Sequence, residues 1–255
     1  MAEPPENRVY RQLDQPRGVP PLELTGERTL PDVPEENYWY RRHLAVYEWI
    51  AERVTGLRVV DLACGEGYGS AVLAEHASSV VGIDANPEAH AHAQARYGGD
   101  NLRFDRDLVE NVSGPADAIV FLQTIEHIED VSGLLQVIAA AAPLAYISTP
   151  NRLTLAPEGA EKSDNPWHLR EYTIEEYRAE LEPHFETVRM FGLHHAGKLK
   201  LHEVALKLGW DRVHKTLGLT GLFYDRFTPA ISSADFVLAE DELDGALDFL
   251  AVCRR

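Results

Sequence analysis

Apolar positions along this chain follow two rhythms, and the switch between them outlines the fold. In NYWYRRHLAVYEWIAERV, residues 37–54, Tyr40, Leu44, Tyr47 and Ile50 or Ala51 recur at steps of three and four, the period of one helix face. Thr55-Gly56 ends that segment. Short apolar runs then alternate with helical stretches. LRVVDLA, SVVGIDA, NLRFD, ADAIVFLQ, LAYISTP, ETVRMFGL and LDFLAVCRR read as seven strands. Helices are predicted at residues 68–76, at 86–97 with Pro87 in the first turn, and in DVSGLLQVIAAAA with Asp130 or Ser132 as cap. Another is predicted in TIEEYRAELEPHF, where Thr173 and Glu176 make a capping box. Such alternation predicts an α/β fold: a Rossmann-like, seven-stranded, mainly parallel sheet with helices on both faces. AIVFL and VVGI are apolar throughout, as strands buried on both faces require.

Three segments fall outside that rhythm. Residues 1–36, with prolines at 4, 5, 16, 20, 21, 31 and 34, predict an irregular N-terminal arm ahead of one domain over residues 37–255. Residues 151–172 predict a long loop, and residues 194–230 a largely helical insertion between the last two strands. The arm and the insertion are expected to close over the site.

Composition narrows the function. A chain of 255 residues with 45% hydrophobic and 25% charged residues suits one globular domain. A net charge of −17 argues against nucleic acid or an anionic membrane surface as partner. No apolar run approaches the ~20 residues of a membrane span. The polar N-terminus lacks an apolar signal core, so a cytoplasmic protein is expected. Cys64 and Cys253 have neither metal-ligand spacing nor the look of a disulfide framework, and no metal is expected. Oligomeric state leaves no mark on the sequence.

The chemistry starts at VVDLACGEGYGS, residues 59–70. Gly65, Gly67 and Gly69 let a backbone turn approach a ligand after a strand and then enter a helix. Asp84 follows Gly65 by 19 residues and ends the second strand, where an acid accepts ribose hydroxyls. Both features suit either a dinucleotide or S-adenosylmethionine (SAM). Asp61 separates the two. A carboxylate at the strand end repels a pyrophosphate and suits the α-ammonium group of SAM. The pair VVDLACGEGYGS and VVGIDAN resembles the first motif and following strand of the class I SAM-dependent methyltransferases.

That resemblance implies further contacts. DAIVFLQTIEHIED is similar to the family's fourth-strand motif, in which the strand's end lies under the methylsulfonium and Gln123 through His127 follow it. FDRDL implies an acid near the adenine amino group, Asp107 first and Asp105 as alternative. Arg42, in YRRH, implies a fork for the SAM carboxylate. LTGERTLPD, ENYWYRRH, GEGYG, QTIEHIED, STPNR and NPWHLRE together resemble an actinobacterial group of saccharide methyltransferases. One mycobacterial member is associated with 6-O-methylglucose lipopolysaccharide. The implied acceptor is a sugar or polysaccharide hydroxyl.

A neutral hydroxyl is a poor nucleophile and profits from a general base. His127, after the fourth strand, and His168, in NPWHLREY, are the two candidates. Glu126 stands beside them and would face the acceptor if that were an amine on an amino-sugar or small molecule. A metal site from Glu126, His127 and His168 has no support in ligand spacing along the chain. A SAM-binding protein without catalysis is the remaining alternative. His90 and His92 read as exposed helix residues. Trp167, Tyr172, Trp210, Phe223, Tyr224 and Phe227 offer faces for sugar C–H surfaces or bury the insertion.

Overall fold

A computed structural model describes residues 15, 17–23, 28–112, 114–216, 218 and 220–255. Residues 1–14, 16 and 24–27 of the predicted arm lie outside the described residues. The described chain divides into two compact units. One is built chiefly from residues 28–46 and 195–237, the other from residues 47–194 and 238–255.

The strands are β1 Arg58–Leu62, β2 Ser79–Ile83, β3 Leu102–Asp105, β4 Ala118–Leu122, β5 Leu144–Pro150, β6 Thr187–His195, β7 Phe236–Ala239 and β8 Asp248–Arg254. The helices are α1 Asn37–Ala51, α2 Tyr68–Ala74, α3 Pro87–Tyr97, α4 Val131–Ala141, α5 Arg152–Leu155, α6 Ile174–Leu181, α7 Gly197–Lys207, α8 Trp210–Thr216 and α9 Thr220–Phe227. The sheet has eight strands rather than seven, in the order β3-β2-β1-β4-β5-β8-β6-β7. β1 to β5 pair in parallel, and β8 is antiparallel to both β5 and β6. The extra strand, β7, is four residues long at the sheet edge and runs into Glu240, Asp241 and Glu242, so no apolar alternation announces it.

Local chemistry explains the helix starts. The Asn86 side chain accepts from the Glu88 and Ala89 N–H groups, and Pro87 fills the first turn of α3. Asp130 caps α4 through the Gly133 N–H. The capping box of Thr173 and Glu176 opens α6. The predicted loop after β5 contains α5, capped by the Asn151 side chain. Every residue of β4 and β5 is buried. Leu134, Leu135 and Ile138 of α4 join Ile119, Phe121 and Ile147 of the sheet in one core. Each such side chain adds roughly 1.5–3 kcal/mol by leaving water.

In the first unit, α7 to α9 are held by their own aromatic residues. The His202 ring lies within 5.8 Å of Phe223, Tyr224 and Phe227, and Phe223 stacks on His214. Trp210 meets both His214 and Phe223 edge-on. These half-buried rings pack the helices against one another. Lys198 pairs with the buried Asp235, which also caps the turn at Ser232. Among the described residues no helix is long and apolar enough to cross a membrane.

Strand order reverses between β1 and β4, so the chain leaves these neighbours toward opposite sides and opens a crevice at their carboxyl ends. The glycine turn lies there. Gly67 has φ +96°, and a Cβ on it would come within 2.9 Å of Ala93 and Phe104. We expect Gly67→Ala to cost about 1–3 kcal/mol through overpacking and the left-handed backbone, read as a lower urea midpoint. An unchanged midpoint would show that α3 and β3 do not press on the turn.

Candidate active site

The turn and the two strand ends beside it form one hydrogen-bonded unit. Asp84 follows β2; its Oδ2 accepts from the Gly65 N–H and its Oδ1 from the Asn86 N–H, both at 2.8 Å. The separation of 19 residues is thereby closed by a direct bond. Each carboxylate oxygen keeps a lone pair for a further donor. Gly65 has φ +58°, and a Cβ there would meet nothing within 4 Å. A Cβ on Gly67 would instead meet Ala93 and Phe104. The open face belongs to Gly65.

Asp61, in β1, is fully buried. Ser70 Oγ of α2 donates to it at 2.6 Å and Tyr47 Oη of α1 at 3.3 Å. Burial pushes its carboxyl up to about 7, the two hydroxyls pull it down, and the charge of Asp84 pushes it further up. A cation brought to the turn would favour the ionised form.

Ala63 and Gln123 follow β1 and β4 with φ of +53° and +50°. Both side chains sit on a left-handed backbone that costs roughly 1–2 kcal/mol per residue. Gln123 is held there by Ser148 of β5, whose carbonyl and Oγ accept its N–H and whose Oγ also accepts from Nε2. Asp107 is exposed past β3; hydrogen bonds from Asn111 and the Leu108 N–H hold its carboxyl below the usual range. Asp105 is paired with Arg103 at 3.2 Å. Arg42 belongs to the first unit: it is buried on α1 with its guanidinium 4.9 Å from the centre of the Trp39 ring.

The three acceptor-side candidates meet. Glu126 and His127 lie on the short 3-10 turn after β4, and His168 on the loop after β5. One ligand atom from each lies within 4.8 Å of the others. The His127 and His168 rings stand edge to face at 5.0 Å. His127 Nδ1 is 2.9 Å from the Trp167 carbonyl, and His168 Nδ1 is 2.6 Å from Glu171 Oε1. Glu171 is itself held by the Ser163 N–H and hydroxyl. The Glu126 carbonyl accepts from the Leu169 and Arg170 N–H groups, which stitches the two loops together.

Burial governs the charges. It raises the Glu126 carboxyl to about 8, against hydrogen bonds from its own N–H and from Thr149 Oγ1, with the charges of Asp248 and Glu171 adding to the rise. Burial lowers His168, and its bond to Glu171 only partly restores it. Burial therefore favours a neutral His168 beside a Glu126 carboxyl that stays protonated at neutral pH unless a cation joins it.

Sequence reasoning did not find the supporting residues. Tyr47 and Ser70 hold Asp61, Thr149 holds Glu126, and Glu171 orients His168. The i,i+3 spacing of His168 and Glu171 was the available signal. The reading of His92 as exposed is corrected. His92 is fully buried, 3.9 Å from the buried Glu66, because α3 turns that side onto the glycine loop. Tyr172 is core, against Tyr177, while Trp167 is half-exposed.

Comparison with known proteins agrees with this architecture. A family model described as a methyltransferase domain matches residues 38–195, more than half the chain. A probable S-adenosylmethionine-dependent methyltransferase of Mycobacterium tuberculosis is 38% identical, covering 92% of this chain and 90% of the relative. One of Mycolicibacterium smegmatis is 34% identical over 92% of this chain and 95% of its own length. The crystal structure of an S-adenosylmethionine-dependent methyltransferase from Mesorhizobium loti superposes with a TM-score of 0.51 at 20% identity, covering 82% of this chain and 98% of that one. The chain belongs to the SAM-dependent methyltransferases, enzymes with SAM as their methyl donor.

Proposed function

We propose that this methyltransferase acts on a hydroxyl of a sugar or polysaccharide. The observation that carries the reading is the loop holding His168. It presents a half-exposed indole, Trp167, and the Trp167 carbonyl fixes His127. An aromatic face suited to sugar C–H surfaces thus belongs to the same few residues as the proton-accepting cluster. An amine acceptor would draw on Glu126 as an exposed anion, but Glu126 is buried against Thr149. In this reading residues 37–255 form the methyltransferase domain with its insertion at 194–230.

The turn fits the cofactor. Asp84 has a spare lone pair on each oxygen for the ribose hydroxyls, and Gly65 leaves its face open. Asp61 offers a buried carboxylate whose partners among the described residues are two hydroxyls, as the α-ammonium group needs. Asp107 would accept from the adenine amino group, and Gln123 would line the crevice below the sulfonium. When bound, SAM supplies an electrophilic methyl group. The protein's part is to hold the acceptor oxygen in line and to handle its proton at Glu126, His127 and His168.

Asp84→Ala should weaken SAM binding by about 1.5–3 kcal/mol in calorimetry, with the unfolding midpoint followed alongside. Unchanged affinity would remove Asp84 from the site. Binding of the α-ammonium group should ionise Asp61 and release roughly half a proton near pH 7. The binding heat should then depend on the buffer's ionisation enthalpy, and Asp61→Asn should abolish that dependence. In the free protein the raised Asp61 carboxyl favours folding below its unfolded value, and that stability is lost as pH rises through about 7. Asp61→Asn should flatten this decline. The acceptor is tested with labelled SAM against a panel of mono- and oligosaccharides and amines. Sugar methylation is expected, and Trp167→Ala should raise KM for the sugar roughly two- to tenfold with SAM affinity unchanged. Methylation of amines alone would overturn the reading.

A further inference from the structure

Three potential ligands converge from two loops that are 41 positions apart in the chain. Glu126, His127 and His168 each bring one donor atom within 4.8 Å of the other two. Donors around a tetrahedral ion at about 2.1 Å sit about 3.4 Å apart, so small side-chain rotations complete such a site.

Both imidazoles are already set for coordination. The Trp167 carbonyl can only accept, so the nearby His127 Nδ1 carries the hydrogen and Nε2 the lone pair. Glu171 accepts from Ser163 as well as from His168 Nδ1, which leaves the His168 lone pair on Nε2 too. A carboxylate or carbonyl behind each ring is the arrangement that orients histidine ligands of metal ions. A lone general base would need one such histidine, and here there are two, ring against ring. Glu126 supplies the charge. It is 1% exposed, and Thr149 Oγ1, a neutral donor, binds its Oε2 at 3.1 Å. A carboxylate buried in this way is stabilised when a cation joins it.

We propose that Glu126, His127 and His168 bind one divalent transition-metal ion. Two imidazoles and one carboxylate suit Zn²⁺, Co²⁺ or Fe²⁺ better than Mg²⁺ or Ca²⁺. Three protein ligands leave a coordination position open, as in catalytic rather than structural sites. An alcohol oxygen at that position is acidified, and its proton passes to solvent water. The histidines then act as ligands rather than as the base. The role toward an alcohol rests on the hydroxyl-acceptor reading; the ion site does not.

The full chain, stripped with a chelator, is titrated with Co²⁺ and followed by visible absorption and calorimetry. One equivalent should bind with the intense visible bands of a four- or five-coordinate ion. His127→Ala and His168→Ala should lose that site, and Glu171→Gln should weaken it about 10- to 100-fold. The urea unfolding midpoint of each variant reports whether the fold is intact, and Glu171→Gln serves if His168→Ala fails to fold. No binding at about 1 mM Co²⁺, or equal binding in the variants, overturns the site. Saccharide methylation that ignores the chelator, together with absent Co²⁺ binding, removes the metal and leaves the acceptor reading. A Co²⁺ site with no saccharide turnover does the reverse.

Discussion

The reversal of strand order between β1 and β4 is the constraint from which the rest of the site follows. Two parallel neighbours whose continuations part company leave a gap at their carboxyl ends that the sheet cannot fill. Both chains turn sharply to make it, and both do so on a non-glycine residue, Ala63 and Gln123, in a left-handed conformation. That strain is retained because the surroundings over-determine it. Ser148 ties Gln123 to the next strand, and Cys64 donates its N–H to Ile83 at the end of β2. The crevice is thus a property of the sheet.

Its walls are expensive. Asp61, Glu126 and Glu171 are all buried, and among the described residues each is compensated by neutral hydroxyls, N–H groups or a histidine rather than by a lysine or arginine. Folding alone would be served as well by apolar residues of similar size. Carboxyl groups retained at such a cost, at the ends of strands and on the loops beyond them, are what the proposed roles in holding a cation and handling a proton draw on.

The sheet was largely legible because its strands are buried and apolar and its helices begin with unambiguous caps. Pro87, Asp130 and the Thr173–Glu176 pair each stand where the helix starts. β7 was not legible, since an edge strand of four residues needs no alternation to form. The contact between the glycine turn and Asp84 could be read because its parts lie within one βα unit and the next strand. The acceptor cluster was only half visible. His127 and His168 stood out as types, but their partners are a backbone carbonyl and an acid on a loop, which carry no periodic signal. Metal-ligand spacing fails for the same reason: the three donors meet through the sheet and not along one helix.

The position of β8 bears on how the molecule is made. The last strand in chain order is an inner one, paired over seven residues with β5 on one side and with β6 on the other. β6 therefore joins the sheet only through β8, and without β8 the β5 edge has no partner. The five parallel strands alone would end in an open apolar edge, the kind that templates aggregation, and the last strand to be synthesised is the one that closes it.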